Sequence, residues 1–244
     1  MNLHRFFCAG QTPAIQFAKT HLAQNGILFS DTARWDTANL LLDVPSFRPG
    51  DQQRIETLLS SLPKQLTVWG GNLQHPSLDG FACRDLLRDE SYLTENAAIT
   101  ADCTMDLLVP LLKRPLNDTS VLIIGWGRIG KCLAPLLSES GCHVTVSARK
   151  AADLTNISDS GFNAVETGQI QKILPALDLI INTVPALILT ESPNGILKID
   201  LASVKGIAGD DVLRARGLPG RYAPERSGKL ICSTILRFLK EEHL

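Results

Sequence analysis

Three glycines, Gly125, Gly127 and Gly130, follow directly on Val121-Leu122-Ile123-Ile124, an apolar run with three β-branched residues. The chemistry open to such a G-x-G-x-x-G turn is anion capture by main chain. The first glycine allows the tight turn, the second lets backbone approach a pyrophosphate, and the third permits close strand–helix packing. A helix starting there adds unpaired N–H groups and a partial positive charge. The spacing alone also fits tight strand–helix packing with no ligand. The context favours the ligand: after the helix come Gly141 and a second apolar stretch, His143 to Ser147. That completes a β-turn-α-turn-β unit of about 30 residues. Gly125, Trp126, Gly127, Arg128, Ile129 and Gly130 are therefore assigned to a dinucleotide site.

The end of the second strand decides which dinucleotide. An NAD site places Asp or Glu about 20 residues past the glycines, against the ribose 2′-OH. Here the chain reads Ser147-Ala148-Arg149-Lys150, with no carboxylate before Asp153. A carboxylate would repel a 2′-phosphate, whereas a guanidinium, an ammonium and a hydroxyl attract it. Ser147, Arg149 and Lys150 thus point to NADP, the alternative being a solvated basic pair in a turn.

Other candidates lie where strands end, because doubly wound sheets bind ligands outside the carboxyl ends of their strands. Thr183, Val184 and Pro185, in Asn182-Thr183-Val184-Pro185-Ala186, are placed on the nicotinamide side, against a reading as a strand cap and proline turn. Ser203 and Lys205, in the loop opened by Asp200-Leu201-Ala202, could meet a substrate carboxylate or be plain loop residues. Leu218-Pro219-Gly220-Arg221-Tyr222-Ala223-Pro224 reads as a loop whose Arg221 suits bidentate carboxylate recognition. The histidines His4, His21, His75, His143 and His243 are isolated, with His143 structural and His75 in a turn. No metal-ligand spacing appears, no Ser/His/Asp or Cys/His arrangement can be argued, and the catalytic residue stays unassigned.

Two sets of elements must position these groups. In the first half, Arg5–Ala9 reads as a strand and Pro13–Asn25 as a helix closed by Gly26. Asn39–Val44 is a buried strand ending at Pro45, Asp51–Leu62 an amphipathic helix with Asp51 as N-cap, and Leu66–Trp69 a strand stopped by Gly70-Gly71. Residues 100–112 are apolar nearly all round, as a helix buried on several sides would be. Pro110 should bend it and Pro115 end it. Thr119 opens the dinucleotide domain, with later strands at Asn163–Val165, Leu177–Thr183 and Ile196–Leu201; Pro135 should kink the helix after the glycine loop. The last helix, Pro224–Glu242, carries Leu230, Ile231, Ile235, Phe238 and Leu239 on one face.

The expected fold is α/β with two domains and a cleft between them. Residues 1–98 form an N-terminal Rossmann-like parallel-sheet domain, joined by the C-terminal helix 223–244 packing back on it. Residues 99–114 are an interdomain helix, and 115–222 a Rossmann dinucleotide-binding domain. Twenty-four basic against 25 acidic residues leave no net field for nucleic acid or an anionic membrane surface. No apolar run approaches the roughly 18 residues of a membrane span. Six scattered cysteines without a C-x-x-C pair fit a reducing compartment, the cytoplasm.

Four segments together resemble the dipicolinate synthase family, in its A-type component: Asn96-Ala97-Ala98-Ile99-Thr100-Ala101-Asp102; the glycine loop with Ser147-Ala148-Arg149-Lys150; the Asn182–Ala186 and Asp200–Ser203 segments; and Leu218–Pro224. The resemblance covers nearly the whole chain and is strongest after about residue 93. It implies a dehydrogenase-like protein working with a flavoprotein-like B subunit. Together they oxidise a dihydrodipicolinate-type precursor to dipicolinate, the calcium chelator of bacterial endospores. It also implies a small cyclic dicarboxylate substrate held by some of Asn96, Thr100, Ser203, Lys205 and Arg221. The chain departs from the family in three places. The family's Gly-Gly-Asp-x-Arg turn is Ala9-Gly10-Gln11-Thr12-Pro13, its Thr-Ala-Glu-Gly is Thr100-Ala101-Asp102-Cys103, and the segment from Lys205 to Leu218 is short enough to leave out the last strand. Two rival readings are another NADP-dependent oxidoreductase of 2-hydroxyacid-dehydrogenase architecture and a non-catalytic NADP-binding partner or sensor. A homo-oligomer is compatible with all three.

Overall fold

A computed structural model describes residues 5–33, 37–112, 115–191 and 193–241. His4, Glu242 and His243, named above, lie outside the described residues. The chain divides into two compact units, Met1–Asn96 with Pro219–Leu244, and Ala97–Leu218.

The first unit is a parallel sheet of β1 (Arg5–Cys8), β2 (Leu28–Ser30), β3 (Asn39–Leu41), β4 (Thr67–Gly70) and β5 (Ala82–Asp85), in the order β2-β1-β3-β4-β5. Apolar residues of β3 and β4 meet Ile55 and Leu59 of α2 (Gln52–Ser60) in a closed core with Leu42, Leu73 and Leu78. The first helix, α1 (Pro13–Gln24), starts on a Thr12 cap whose hydroxyl accepts from the Ile15 amide, and Gly26 beyond its end holds a φ of +84°. Asp51 precedes α2 but its side chain makes no capping bond; it pairs instead with Arg48 at 2.7 Å. Strands β2 and β5 escape a periodicity reading because each is short and only half-buried.

The apolar segment near residue 100 belongs to a longer helix than expected, α3 (Glu90–Leu108). It stops two residues before Pro110, since the residue ahead of a proline is pushed out of helical geometry. Pro110 therefore ends the helix instead of bending it. Nor is the segment buried all round: Asp106, Val109 and Leu111 are exposed.

The second unit holds β6 (Ser120–Ile124), β7 (His143–Ala148), β8 (Asn163–Glu166), β9 (Leu179–Asn182), β10 (Leu197–Asp200) and β11 (Val212–Arg214). Their spatial order is β11-β10-β9-β6-β7-β8, all parallel. Counted within the unit this is the 3-2-1-4-5-6 order of a dinucleotide-binding sheet, with its topological switch between β6 and β9. The last strand is therefore present: β11 pairs with β10 through Lys198↔Val212, Ile199↔Leu213 and Asp200↔Arg214. Three residues suffice for it because the buried Lys198 reaches across to Asp211 at 2.6 Å. Helix α4 (Arg128–Glu139) runs unbroken through Pro135, and α5 (Ala151–Asp159) follows β7.

The expected loop at 218–224 contains a short helix, α6 (Leu218–Tyr222), then α7 (Pro224–Glu241). Proline and glycine inside Leu218–Tyr222 favour a loop reading, but one turn needs few internal bonds, and the Ala223 amide closes it on the Pro219 carbonyl. Helix α7 packs on α1, and Gly228 makes the approach possible: a Cβ there would sit 2.5 Å from Phe17 Cβ and 2.7 Å from the Ala14 carbonyl. The C-terminal helix thus joins the N-terminal unit. Among the described residues no helix is long and apolar enough to cross a membrane.

Candidate functional site

Each glycine of the loop after β6 answers a different steric demand. Gly125 holds a φ of +106°, which L side chains rarely adopt, and its amide donates to the Ser147 carbonyl at 3.0 Å. A Cβ on it would meet Val184 Cγ2 at 2.6 Å and Thr183 Oγ1 at 2.7 Å. A Cβ on Gly130 would overlap the Gly125 carbonyl oxygen. Gly127 is different, because a Cβ there would meet nothing within 4 Å. Two glycines are required by the protein's own packing, and the middle one leaves open space at the N-terminus of α4. That terminus has Gly127 as its cap, no capping side chain and no acid in its first turn. Arg128 and Lys131 of the same turn are exposed. A pyrophosphate fits this cradle, with backbone N–H groups and the helix dipole facing it. Trp126 lies edge-on to Phe162, ring centroids 6.0 Å apart, and Ile129 is half-buried.

At the end of β7 the three residues assigned to a 2′-phosphate part company. Arg149 and Lys150 are exposed. Ser147 is fully buried, and its Oγ has no hydrogen-bond partner. The hydroxyl is sealed inside the sheet, because β7 is buried on both faces through Val146, Ser147 and Ala148, and the chain reaches solvent only past the strand end at Arg149.

At the end of β9 the Thr183 hydroxyl donates to the Ile124 carbonyl at 2.9 Å, tying the turn to the glycine strand. Val184 is half-buried and Pro185 exposed. Beneath them lies a polar cluster centred on Asp200, which is 0% exposed and accepts from Asn182, Gly206, Ala202 and Arg214. Sequence reasoning does not reach Asn182 and Arg214 as site residues. Their signal in the sequence is faint: polar residues closing the apolar run of β9 and the short β11.

The substrate candidates do not all fall in one unit. Ser203 and Lys205 are exposed in the loop after β10, and Thr100 is buried in α3 with its carbonyl accepting from Thr104 Oγ1 at 2.7 Å. These three belong to the second unit; Asn96 and Arg221 belong to the first. Arg221 is exposed, its guanidinium 5.7 Å from the centroid of the Tyr222 ring. His75 stacks on Phe47 at 4.2 Å between ring centroids, with Nε2 3.5 Å from Glu56. The Cys132 thiol, on α4, is pushed up from its ordinary value by burial and then by the Asp102 charge, so it stays protonated and un-nucleophilic at neutral pH.

The turn after β1 has no acid or arginine of its own, yet both reach it from elsewhere. The buried Asp43 carboxylate accepts from the Gln11 amide at 3.0 Å, the Thr12 amide at 2.8 Å and the Thr12 hydroxyl at 2.6 Å. Arg54 Nη1 donates to the Ala9 carbonyl at 3.0 Å, and Arg48 pairs with Asp43 at 3.2 Å. A Cβ on Gly10 would lie 3.0 Å from the Asp43 amide, so the turn and the end of β3 are packed together.

Comparison with known proteins gives the following. Residues 106–201 match a family model described as D-isomer specific 2-hydroxyacid dehydrogenase, NAD binding domain. The chain is 28% identical over 160 residues to the A subunit of dipicolinate synthase from Bacillus subtilis, covering 60% of this chain. The matched segment spans 54%, about half, of that relative. Two solved structures share the fold over nearly the whole length. The A subunit of dipicolinate synthase from Bacillus halodurans has a TM-score of 0.79 at 21% identity and 97% coverage of both chains. The A chain of dipicolinate synthase from Bacillus subtilis has a TM-score of 0.80 at 19% identity, covering 99% of this chain and 97% of its own.

Proposed function

We propose that this chain, similar in sequence and fold to the A subunit of dipicolinate synthase, is an NADP-dependent dehydrogenase. Its substrate is a small cyclic dicarboxylate of dihydrodipicolinate type, oxidised to dipicolinate. The observation that carries the reading is the open Gly127 cradle at the start of α4, with exposed Arg149 and Lys150 at the end of the neighbouring strand. Gly125, Trp126, Gly127, Arg128, Ile129 and Gly130 would hold the pyrophosphate, Arg149 and Lys150 the 2′-phosphate, and Thr183, Val184 and Pro185 the nicotinamide side. Bound NADP supplies the hydride acceptor, and the ring loses a hydride and a proton as it becomes aromatic. The protein's own share is alignment and charge: Ser203 and Lys205 stand exposed to meet a carboxylate, and Arg221 can offer a guanidinium fork. Asn96 and Thr100, four apart on α3, complete the proposed substrate set.

The likeness to the A component of that synthase supports a flavoprotein-like B subunit for a partner, a role in spore formation and work in the cytoplasm. None of the six cysteines forms a disulfide, which suits that reducing compartment. Asp43 and Arg54 hold the turn after β1, so the altered turn sequence gives no reason to favour a protein without turnover.

The test is a rate. The purified chain, alone and mixed with a B-type subunit, is given the dihydro precursor and NADP, and NADPH formation is followed by absorbance. Turnover that rises on mixing is the expected result. No NADPH with either preparation would overturn this substrate and leave the two rivals, another NADP-dependent oxidoreductase or a cofactor-binding sensor.

A further inference from the structure

The turn after β9 is clamped from two sides. On one side Gly125 leaves no room for a Cβ, which would press on Val184 and Thr183. On the other side a Cβ on Gly206 would overlap the Asn182 amide and come within 3.0 Å of the Val184 carbonyl. Between these contacts the Asn182 side chain closes a ring of its own. Its Nδ2 donates to the Val184 carbonyl at 2.9 Å, and its Oδ1 accepts from the Val184 amide at 3.1 Å. Asn182 is fixed in turn by Asp200, whose Oδ1 accepts from Nδ2 at 2.8 Å. The second oxygen, Oδ2, accepts from the Gly206 amide at 2.8 Å and from Arg214 Nη1, while Arg214 Nη2 donates to the Ile207 carbonyl. Arg214 is the last residue of β11 and the cation paired with the buried Asp200.

We infer that Asp200 and Arg214 are positioning residues for the nicotinamide half of the dinucleotide. They hold the Thr183-Val184-Pro185 turn in its binding form before the cofactor arrives. The inference rests on the dinucleotide reading above. Its physical basis is preorganisation: a ligand's apparent affinity falls by the fraction of molecules whose site is correctly formed. A buried carboxylate that loses its cation seeks solvent, and it is bonded to Gly206 and to the Asn182 side chain that holds Val184. The adenine end lies on β7, on the other side of β6 from β9, and takes no bond from this cluster.

Calorimetric titration of the full-length chain tests the inference with two ligands. NADPH spans the whole site; adenosine 2′,5′-bisphosphate carries the adenine and the 2′-phosphate without a nicotinamide. Arg214→Ala should raise the dissociation constant for NADPH at least tenfold and leave that for the bisphosphate within twofold, which also shows that the domain is folded. Arg214→Lys keeps a charge beside Asp200 but cannot bond Ile207 with a second arm, so it should fall between. Equal weakening of both ligands would make Arg214 a general structural residue and overturn the inference, as would unchanged NADPH binding. If wild-type chain bound neither ligand, the dinucleotide reading itself would fall and take this one with it.

Discussion

At the scale of single residues, the glycine loop separates packing from ligand binding. Gly127→Val places its Cβ where, chain neighbours aside, nothing lies within 4 Å, at a φ of −83° that any residue adopts. Its melting temperature should stay at the wild-type value while binding of NADPH and NADH is lost together. Gly130→Ala forces a methyl into the Gly125 carbonyl oxygen and should destabilise the chain by about 1–3 kcal/mol, the usual cost of overpacking. Thermal melts of the two variants, with and without nucleotide, check the contrast. Arg149→Ala removes one charge-assisted contact, about 1.5–3 kcal/mol, so NADPH affinity should fall at least tenfold at 1.4 kcal/mol per decade. NADH affinity should barely change. The glycine loop and the basic pair were legible in the sequence because spacing and charge report them directly. Burial does not show there: Ser147 stands two residues before Arg149 in sequence yet lies in a strand end buried on both faces, while Arg149 is already past it.

Among the elements, helices and long apolar strands follow from periodicity, and the exceptions have physical reasons. Strand β11 has only three residues, one of them buried, so no apolar run announces it. It is held instead by the Lys198–Asp211 pair, where the ammonium is buried and the carboxylate exposed. A hydrogen bond from Lys198, aided by its charge, lowers the Asp211 carboxyl below its ordinary value. A depressed carboxyl contributes stability above its unfolded pKa and loses it as pH falls through the folded value. Asp211→Asn should therefore be less stable than wild type at pH 7, with the difference closing as both are acidified below the carboxylate range. Urea unfolding at pH 7 and near pH 3 reads this out, and a difference that grew in acid would contradict it. On the other unit, Gly228→Val should cost about 1–3 kcal/mol by prising α7 from α1. Urea midpoints measure it directly.

For the molecule as a whole, two parallel sheets could be read from alternating apolar runs and helical stretches, and the return of the last helix from its one apolar face. The polar clusters that stiffen each sheet's carboxyl edge could not. Asp43 joins the turn after β1 across 31 residues of chain, and Arg214 joins Asp200 across 14, distances over which a single sequence carries no pairing signal. Both acids sit at the end of an apolar strand, which is the only local hint of their place. Everything proposed for the second unit depends on its being an NADP site of dehydrogenase type. A fluorescence titration of the full chain with NADPH and with NADH, using Trp126 in the glycine loop as reporter, puts that to the test. Both nucleotides should quench saturably, with NADPH bound at least tenfold more tightly. Equal dissociation constants, or no saturable binding of either nucleotide, would refute the assignment.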